Sequence, residues 1–549
     1  MTATIRTRNL TVVRGPVTVL DGIELTVVPG RRLGVVGPNG VGKTTLLRAL
    51  AGLVPLDAGV VETVPAGATV GYLPQEASRA DDETVREFLG RRTGVAAAQV
   101  ALDTATTELA GGVAGADDRY AVALEQWLGL GAADLDARVG ETWAELGLDA
   151  DLLDQTTGSL SGGESARCGL AALLLARFDV FLLDEPTNDL DLDGLARLER
   201  WIDELSAGVV LVSHDRRFLE HAVTHVLELD EFTHHATLYG GGWSAYQHER
   251  AAARRHAWER FEAYDTQRKA LGARAQRERE WAQQGQARVR RSDEADKFIR
   301  HFRMNQTEQL AGRAARTDKA IERLEVADKP REAWELRFEI ASAGRSGDVV
   351  ATASAAVVDR GSFTLGPIDL LVSNGERIAI VGANGSGKST LLDVLLGRAT
   401  LSAGSASLGS SVVIGEVEQA RHQLEGADSL LRAFQDETGM DASDARTLLA
   451  KFGLVADHVT RPAASLSPGE RTRASLALLQ ANGANVLVLD EPTNHLDLPA
   501  IEQLERALDA FDGTVLLVTH DRALLDEVRL TRTIELRDGR IVRDEPSPG

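Results

Sequence analysis

The chain has 549 residues, a formal net charge of −22, 43% hydrophobic and 26% charged residues, which suggests three to four domain-sized units with full cores. No run approaches the ~18 apolar residues of a membrane span, the first residues carry no apolar signal-peptide core, and the single Cys168 excludes an intramolecular disulfide and a cysteine-rich zinc site. The acidic balance argues against a generally nucleic-acid-binding surface, so contact with a polyanion must be local, and the expected compartment is the cytoplasm.

The first element with chemistry follows the apolar residues Leu33, Val35 and Val36. Gly37-Pro38-Asn39-Gly40-Val41-Gly42-Lys43-Thr44 reads G-x-x-x-x-G-K-[ST], and helix formers Leu46 to Leu50 follow. Strand, glycine loop and helix form the context in which backbone N–H groups wrap phosphate oxygens at a helix N-terminus. Lys43 would reach the β- and γ-phosphates, and Thr44 would hold Mg²⁺. Gln75 comes next, then Leu160-Ser161-Gly162-Gly163-Glu164. The apolar strand Val180 to Leu183 ends in Asp184-Glu185, and His214 follows Val212-Ser213. A carboxylate at the strand end (Asp184) suits a Mg²⁺ ion, and Glu185 beside it suits a general base. His214 is placed to contact a γ-phosphate.

Residues 247–333 read as a helical linker. Ala251 to Trp281 predicts one long helix, Gly285 to Asp293 a turn, and Ala295 to Leu324 a returning helix, an antiparallel hairpin of about 45–60 Å. Between Arg268 and Arg303 stand eleven Lys or Arg and five acids. Arg288, Arg290 and Arg291 crowd the expected tip, which points to RNA phosphate.

After the linker the motifs return. Gly382-Ala383-Asn384-Gly385-Ser386-Gly387-Lys388-Ser389, Gln419, Leu466-Ser467-Pro468-Gly469-Glu470, Asp490-Glu491 and His520 repeat the first set. Ser161 and Ser467, Asp184 and Asp490, and His214 and His520 are each 306 residues apart, whereas Lys43 and Lys388 are 345 apart. The glutamine-to-serine gap is 86 residues in the first copy and 48 in the second, so the first carries 38 extra residues. Their Ala, Glu, Leu and Arg content predicts a small helical arm within about residues 85–140.

Leu-Ser-Gly-Gly-Glu before a helix has no role at its own phosphate loop; its serine and N–H groups suit a phosphate arriving from elsewhere. With these motifs in tandem, no span, an insertion in the first copy and a long charged linker, the chain resembles the ABC-F family of ATP-binding-cassette proteins. Asn494-His495-Leu496-Asp497 matches that family's usual run. The implied fold is α/β, two P-loop cassettes (5–246 and 334–549) joined by an α-helical hairpin. The implied cofactors are ATP and Mg²⁺.

The resemblance implies two sites in a monomer whose cassettes pair with each other. Site one would combine Gly37–Thr44, Gln75, Asp184, Glu185 and His214 with Ser467 and Gly469. Site two would combine Gly382–Ser389, Gln419, Asp490, Glu491 and His520 with Ser161, Gly162 and Gly163. Mg²⁺ would be held by Thr44, Gln75 and Asp184, and by Ser389, Gln419 and Asp490. Four positions depart from the pattern. Pro468 replaces a signature glycine and removes one N–H donor. Asp189 stands where the second copy has His495. The positions aligned with an adenine-stacking aromatic are Val13 and Val358.

The resemblance further implies a ribosome-binding ATPase whose linker reaches ribosomal RNA and the P-site tRNA. Protection against antibiotics of the peptidyl-transferase centre or exit tunnel (macrolide, lincosamide, streptogramin) is the favoured outcome, given the long linker and the Arg-rich, Lys-poor composition. A housekeeping translation factor and a transporter ATPase with separate membrane subunits share the cassette motifs. A DNA-repair cassette ATPase is disfavoured by the missing zinc cysteines.

Overall fold

A computed structural model describes residues 3–74, 82–188, 190–291, 316–317, 319–320, 322–324, 347–361, 363–417, 423–424, 426–466, 468–494 and 496–547. Two compact units divide the chain. One holds Met1–Ser244 with Leu336–Gly549, and the other is Ala245–Glu335.

In the larger unit each sequence repeat builds the same two sheets. The first repeat opens with a long hairpin, β1 (Thr4–Arg14) and β2 (Val17–Val27). Then come β3 (Arg32–Val36), helix α1 (Lys43–Leu50), β4 (Ala58–Val64) and β5 (Val70–Leu73). Helices α2 (Val85–Arg92), α3 (Val95–Ala110), α4 (Ala116–Gly129) and α5 (Leu135–Glu145) follow. The repeat ends with α6 (Gly162–Leu175), β6 (Val180–Asp184), α7 (Leu192–Glu204), β7 (Gly208–Val212), α8 (Arg216–Ala222), β8 (His225–Leu229) and β9 (Ala236–Gly240).

Strands β2-β1-β4 form a small antiparallel sheet, and β5-β6-β7-β3-β8-β9 form the main sheet, parallel except for edge strand β9. Strands β6 and β7 are buried at every residue, as uninterrupted apolar runs between two covered faces should be. Ile5, Leu20, Leu33, Leu46, Leu47 and Leu182 close the core between the two sheets and α1. Burying Leu46 and Leu47, neither of them exposed, contributes about 2 kcal/mol each.

The second repeat copies this plan. Its strands are β10 (Val349–Arg360), β11 (Phe363–Ser373), β12 (Arg377–Gly382), β13 (Ala403–Leu408), β14 (Ile414–Glu416), β15 (Val486–Asp490), β16 (Thr514–Val518), β17 (Arg532–Arg537) and β18 (Arg540–Pro546). They order as β11-β10-β13 and β14-β15-β16-β12-β17-β18, strand for strand the arrangement of the first repeat. In both main sheets the phosphate-loop strand lies between the strand that precedes the histidine and the next one. The loops at the carboxyl ends therefore converge, as at the switch point of an open α/β sheet.

Among the described residues, helices α3 and α4 have no counterpart in the second repeat. They pack on each other through Ala98, Ala105, Ala116 and Ala123, which are buried at seven-residue spacing, and small side chains there let the two backbones approach closely. Val100, Val113, Val122 and Leu128 stay exposed on this hairpin.

The smaller unit is dominated by α9 (Gly242–Arg291), 50 residues and about 75 Å long. Here the expected turn at Gly285 to Asp293 is corrected: the helix runs on through Arg291. A lone glycine costs a helix only about 1 kcal/mol, and Ala287, Arg288, Arg290 and Arg291 around it are good formers. Arg288, Arg290 and Arg291 thus lie on α9. Most of the expected returning helix lies outside the described residues. Residues 316–317, 319–320 and 322 are helical, and Thr317 Oγ1 donates to Glu278 Oε2 at 2.9 Å, both side chains buried. Trp258 meets Phe261 edge to face at 6.0 Å, one turn along the same helix face.

Candidate functional site

Each phosphate loop opens on a glycine that no other residue could replace cheaply. Gly37 has φ 149° and Gly382 φ 150°. A Cβ at Gly382 would stand 2.2 Å from the Leu536 carbonyl oxygen. The loop ends on Gly42 and Gly387, left-handed at φ 115° and 101°, which begin α1 and α10 (Lys388–Leu395). The lysine ammonium groups turn back into the loops. Lys43 Nζ donates to the Gly37 and Pro38 carbonyls at 2.8 and 3.2 Å, and Lys388 Nζ to those of Gly382 and Ala383 at 2.8 and 3.1 Å. Burial lowers both ammonium pKa values, and the neighbouring acids oppose that shift.

The hydroxyl and carboxylate expected to share Mg²⁺ are in contact in both repeats. Thr44 Oγ1 donates to Asp184 Oδ1 at 3.3 Å, and Ser389 Oγ to Asp490 Oδ2 at 2.7 Å. A further residue, Tyr72, reaches the first of these carboxylates: its phenol donates to Asp184 Oδ2 at 3.1 Å. Burial raises the Asp184 carboxyl, and the Thr44 and Tyr72 hydrogen bonds pull it back down.

Glu185 and Glu491 sit in the left-handed region at φ 51° and 46°, strained for a non-glycine residue. The strain is held by the adjoining strand: each backbone N–H donates at 2.9 Å, to the Val212 and Val518 carbonyls respectively. Its effect is to turn each carboxylate from the strand end toward the histidine. His214 Nε2 lies 3.0 Å from Glu185 Oε1. Burial works against the Glu185 charge, but the attraction and hydrogen bond of His214 outweigh it and hold the carboxyl low. His520 Nε2 lies 3.4 Å from Glu491 Oε1 and closer, 3.0 Å, to Lys388 Nζ. Burial pushes Glu491 up to about 7 despite Lys388, while burial and Lys388 push His520 down to about 4.

The cassettes meet head to tail. Asn39 N–H donates to Asp497 Oδ2 of the second cassette at 2.9 Å, and Asn384 N–H to Asp191 Oδ2 of the first at 3.1 Å. A Cβ on Gly163 would stand 3.4 Å from Asn384 Cβ, so the first signature abuts the second phosphate loop. Ser161 caps α6 in a capping box with Glu164, which leaves the helix N-terminus facing that loop. Pro468 opens its helix, α14 (Pro468–Ala481) in chain order after α11 (Leu430–Thr438), α12 (Ala442–Lys451) and α13 (Ala456–Thr460). A missing N–H is tolerated there as part of a helix start. A cavity of about 540 Å³ between the cassettes is lined by Gly163, Glu185, His214, Asn384, Glu491 and His520.

Gln75, Gln419, Ser467, Asp189 and His495 lie outside the described residues. Two signals were readable yet given no role: Asp191 and Asp497, the N-caps of α7 and α15 (Leu498–Ala510). Val358 is buried in the core at 3% exposure, and the ring of Phe363, across the hairpin on β11, stands 2.8 Å from where a Cβ on Gly387 would be, a neighbour of the loop to which the sequence reading gave no role. At Gly42 the corresponding neighbours are Val19 and Leu20.

These residues fit a nucleoside triphosphate and its Mg²⁺. The loop N–H groups, buried lysines and hydroxyl–carboxylate pairs supply the required donors. Glu185 Oε2, His214 Nδ1 and Ser386 Oγ are buried with no partner among the described residues, polar atoms that a phosphate or an attacking water would satisfy.

The family model described as "ABC transporter" matches residues 20–188 and 365–494. The chain is 35% identical over 547 residues to the tylosin resistance ATP-binding protein TlrC of Streptomyces fradiae, covering 95% of each chain. It is 32% identical to the energy-dependent translational throttle protein EttA of Mycobacterium tuberculosis, over 93% of this chain and 88% of that one. It is 31% identical to ABC transporter F family member 5 of Arabidopsis thaliana, over 95% and 73%. The solved structure titled RNase-L Inhibitor shares the fold at TM-score 0.56 and 19% identity, over 97% of this chain and 89% of that one. Among the described residues no helix is long and apolar enough to cross a membrane. With tandem cassettes that face each other across two phosphate loops, and relatives of this kind along nearly its whole length, the chain is an ATPase and belongs to the ABC-F family of the ATP-binding-cassette superfamily.

Proposed function

We propose that this ATPase binds the ribosome, in the cytoplasm, and protects it from antibiotics of the peptidyl-transferase centre or exit tunnel. The observation that carries this reading is the 35% identity to a tylosin resistance protein, which runs through 95% of both chains. The throttle protein EttA, at 32%, supports a housekeeping role in translation as the second reading. An ATPase subunit of a transporter is the third, and a 50-residue basic-ended helix between the cassettes has no use in such a motor.

In the proposed cycle each site is completed by the opposite cassette. The loop N–H groups and Lys43 or Lys388 hold the triphosphate, and Thr44 with Asp184, or Ser389 with Asp490, would hold Mg²⁺, with Gln75 and Gln419 joining them. When bound, the ion neutralises phosphate charge. Glu185 or Glu491 takes a proton from water as its oxygen bonds to the γ-phosphorus and the β–γ bridge breaks, giving ADP and phosphate. His214 or His520 orients that glutamate and the γ-phosphate. Ser161, Gly162 and Gly163 close over site two, and Ser467 and Gly469 over site one. Phe363, beside the second phosphate loop, would stack on the base in site two. The linker would approach ribosomal RNA and the P-site tRNA through Arg288, Arg290 and Arg291.

Purified protein should restore translation in a membrane-free extract inhibited by tylosin, or by another macrolide, a lincosamide or a streptogramin. Reversing Arg288, Arg290 and Arg291 to Glu should abolish the rescue, weaken ribosome co-sedimentation and flatten its salt dependence, with ATPase activity retained. No rescue across the panel despite ATP-dependent ribosome binding would favour the housekeeping reading, and no ribosome binding the transporter reading.

A further inference from the structure

Directly after each switch histidine the chain reads Asp-Arg: His214-Asp215-Arg216 and His520-Asp521-Arg522. Both arginines cross to the other cassette. Arg216 Nη2 pairs with Glu505 Oε1 on α15, and Arg522 Nη2 with Glu199 Oε1 on α7. Arg216 and Arg522 are 306 residues apart, as are Glu199 and Glu505. The two pairs are therefore copies of one contact, related as in a self-complementary dimer. The glutamates are largely buried, Glu505 12% and Glu199 14% exposed, and the arginines somewhat less so, Arg216 18% and Arg522 32% exposed.

Each helix that receives an arginine is the same helix whose N-cap aspartate holds the opposite phosphate loop. Asp497 accepts from Asn39 N–H, and Glu505, eight residues and about 12 Å further along α15, takes Arg216. Asp191 accepts from Asn384 N–H, and Glu199 takes Arg522 in the same spacing on α7. One rigid helix thus touches the other cassette at two places, the loop that holds phosphate and the second residue after the switch histidine. Opening at one point while the other still holds the cassettes together breaks an ion pair whose glutamate stays largely shielded from water, an unfavourable intermediate. That makes partial closure unstable relative to full closure or full opening.

We propose that Arg216 with Glu505, and Arg522 with Glu199, are positioning pairs that fix each switch histidine against the opposite cassette and make the two ATP sites close together. This deepens the ATPase reading and rests on it. The residues touch no reacting atom; they act through the backbone that carries His214 and His520.

A double-mutant cycle on steady-state ATP turnover tests it. Arg216→Ala and Glu505→Ala should each lower kcat about tenfold and reduce the Hill coefficient for ATP toward 1. The double variant should be no worse than either single one, because the partner is already lost. In a Glu185→Gln background, where only site two turns over, Arg216→Ala should still lower the residual rate several-fold, although Arg216 lies in the site-one half of the interface. Arg216→Lys, which keeps the charge, should retain most of the wild-type rate and Hill coefficient, and it gives a second reading if the alanine variant folds poorly. Multiplicative losses in the double variant, an unchanged residual rate in the Glu185→Gln background, or a lysine variant as defective as alanine would each overturn the pairing. A wild-type chain without turnover would instead overturn the ATPase reading.

Discussion

In the first cassette the switch histidine faces its glutamate, His214 Nε2 standing 3.0 Å from Glu185 Oε1. In the second, His520 Nε2 is 3.0 Å from Lys388 Nζ, 3.2 Å from Asn384 Oδ1 and 3.4 Å from Glu491 Oε1. The carboxylate that accepts from Thr44, Asp184, is braced by the Tyr72 phenol; the position that matches Tyr72 in the repeat is Glu416, which pairs with Arg398 instead. The second loop has an aromatic beside it, Phe363, and the first has Val19 and Leu20. Matching motifs therefore sit in unlike surroundings. A motif supplies the reacting groups, while its neighbours set their charge and orientation.

The glutamates should show the difference between the two cassettes most strongly. Replacing both Glu185 and Glu491 by Gln should lower ATP turnover at least a hundredfold with ATP binding kept, since an amide retains shape and loses basicity. At neutral pH Glu185→Gln should remove more turnover than Glu491→Gln, because Glu185 is held ionised by His214 while burial pushes Glu491 up to about 7. Phosphate release by each single variant checks this, and equal losses would show two equivalent sites.

Phe363→Ala should raise the KM for ATP about tenfold in a Glu185→Gln background, where site two reports, if its ring stacks on the base. The same change in a Glu491→Gln background should leave KM as it was.

Tyr72→Phe sharpens the contrast at the metal. Losing one hydrogen bond to a carboxylate should raise the Mg²⁺ concentration for half-maximal turnover at site one about fivefold, read in a Glu491→Gln background, with no change in the Glu185→Gln background.

The smallest expected effect is on stability. Burial pushes the Asp215 carboxyl up to about 6, with Asp521 raising it further and Arg522 and the Phe218 and Arg217 N–H groups opposing. This lies above the unfolded value of about 3.9, so the folded chain binds the extra proton between pH 4 and 6. The charged group destabilises the folded state fully above pH 6, and the penalty fades as pH falls toward 4. Asp215→Asn, which can still cap α8, should therefore raise Tm at pH 7.5 by about 1–2 °C relative to wild type. That gain should shrink by pH 4.5. A gain that grows on acidification would reverse the sign assigned to Asp215.

Much is legible in the sequence. Both phosphate loops, the strand-end Asp-Glu pairs, the two histidines and the 38-residue excess in the first copy are local patterns. A glycine loop between an apolar strand and a helix has one low-energy way to run, and an apolar strand one place to be buried, so these local patterns, with the family resemblance they carry, pointed to two α/β cassettes. What required the tertiary structure was everything set across distance. The left-handed Glu185 and Glu491 depend on a hydrogen bond to a neighbouring strand. Phe363 reaches its loop through hairpin pairing. The end of α9 was misplaced because a single glycine is too weak a break to stop a helix. Asp191, Asp497 and the crossed Arg–Glu pairs acquire meaning only when two copies, 306 residues apart along most of their motifs, are folded face to face, since a side chain's partner there is fixed by packing and not by its neighbours in sequence.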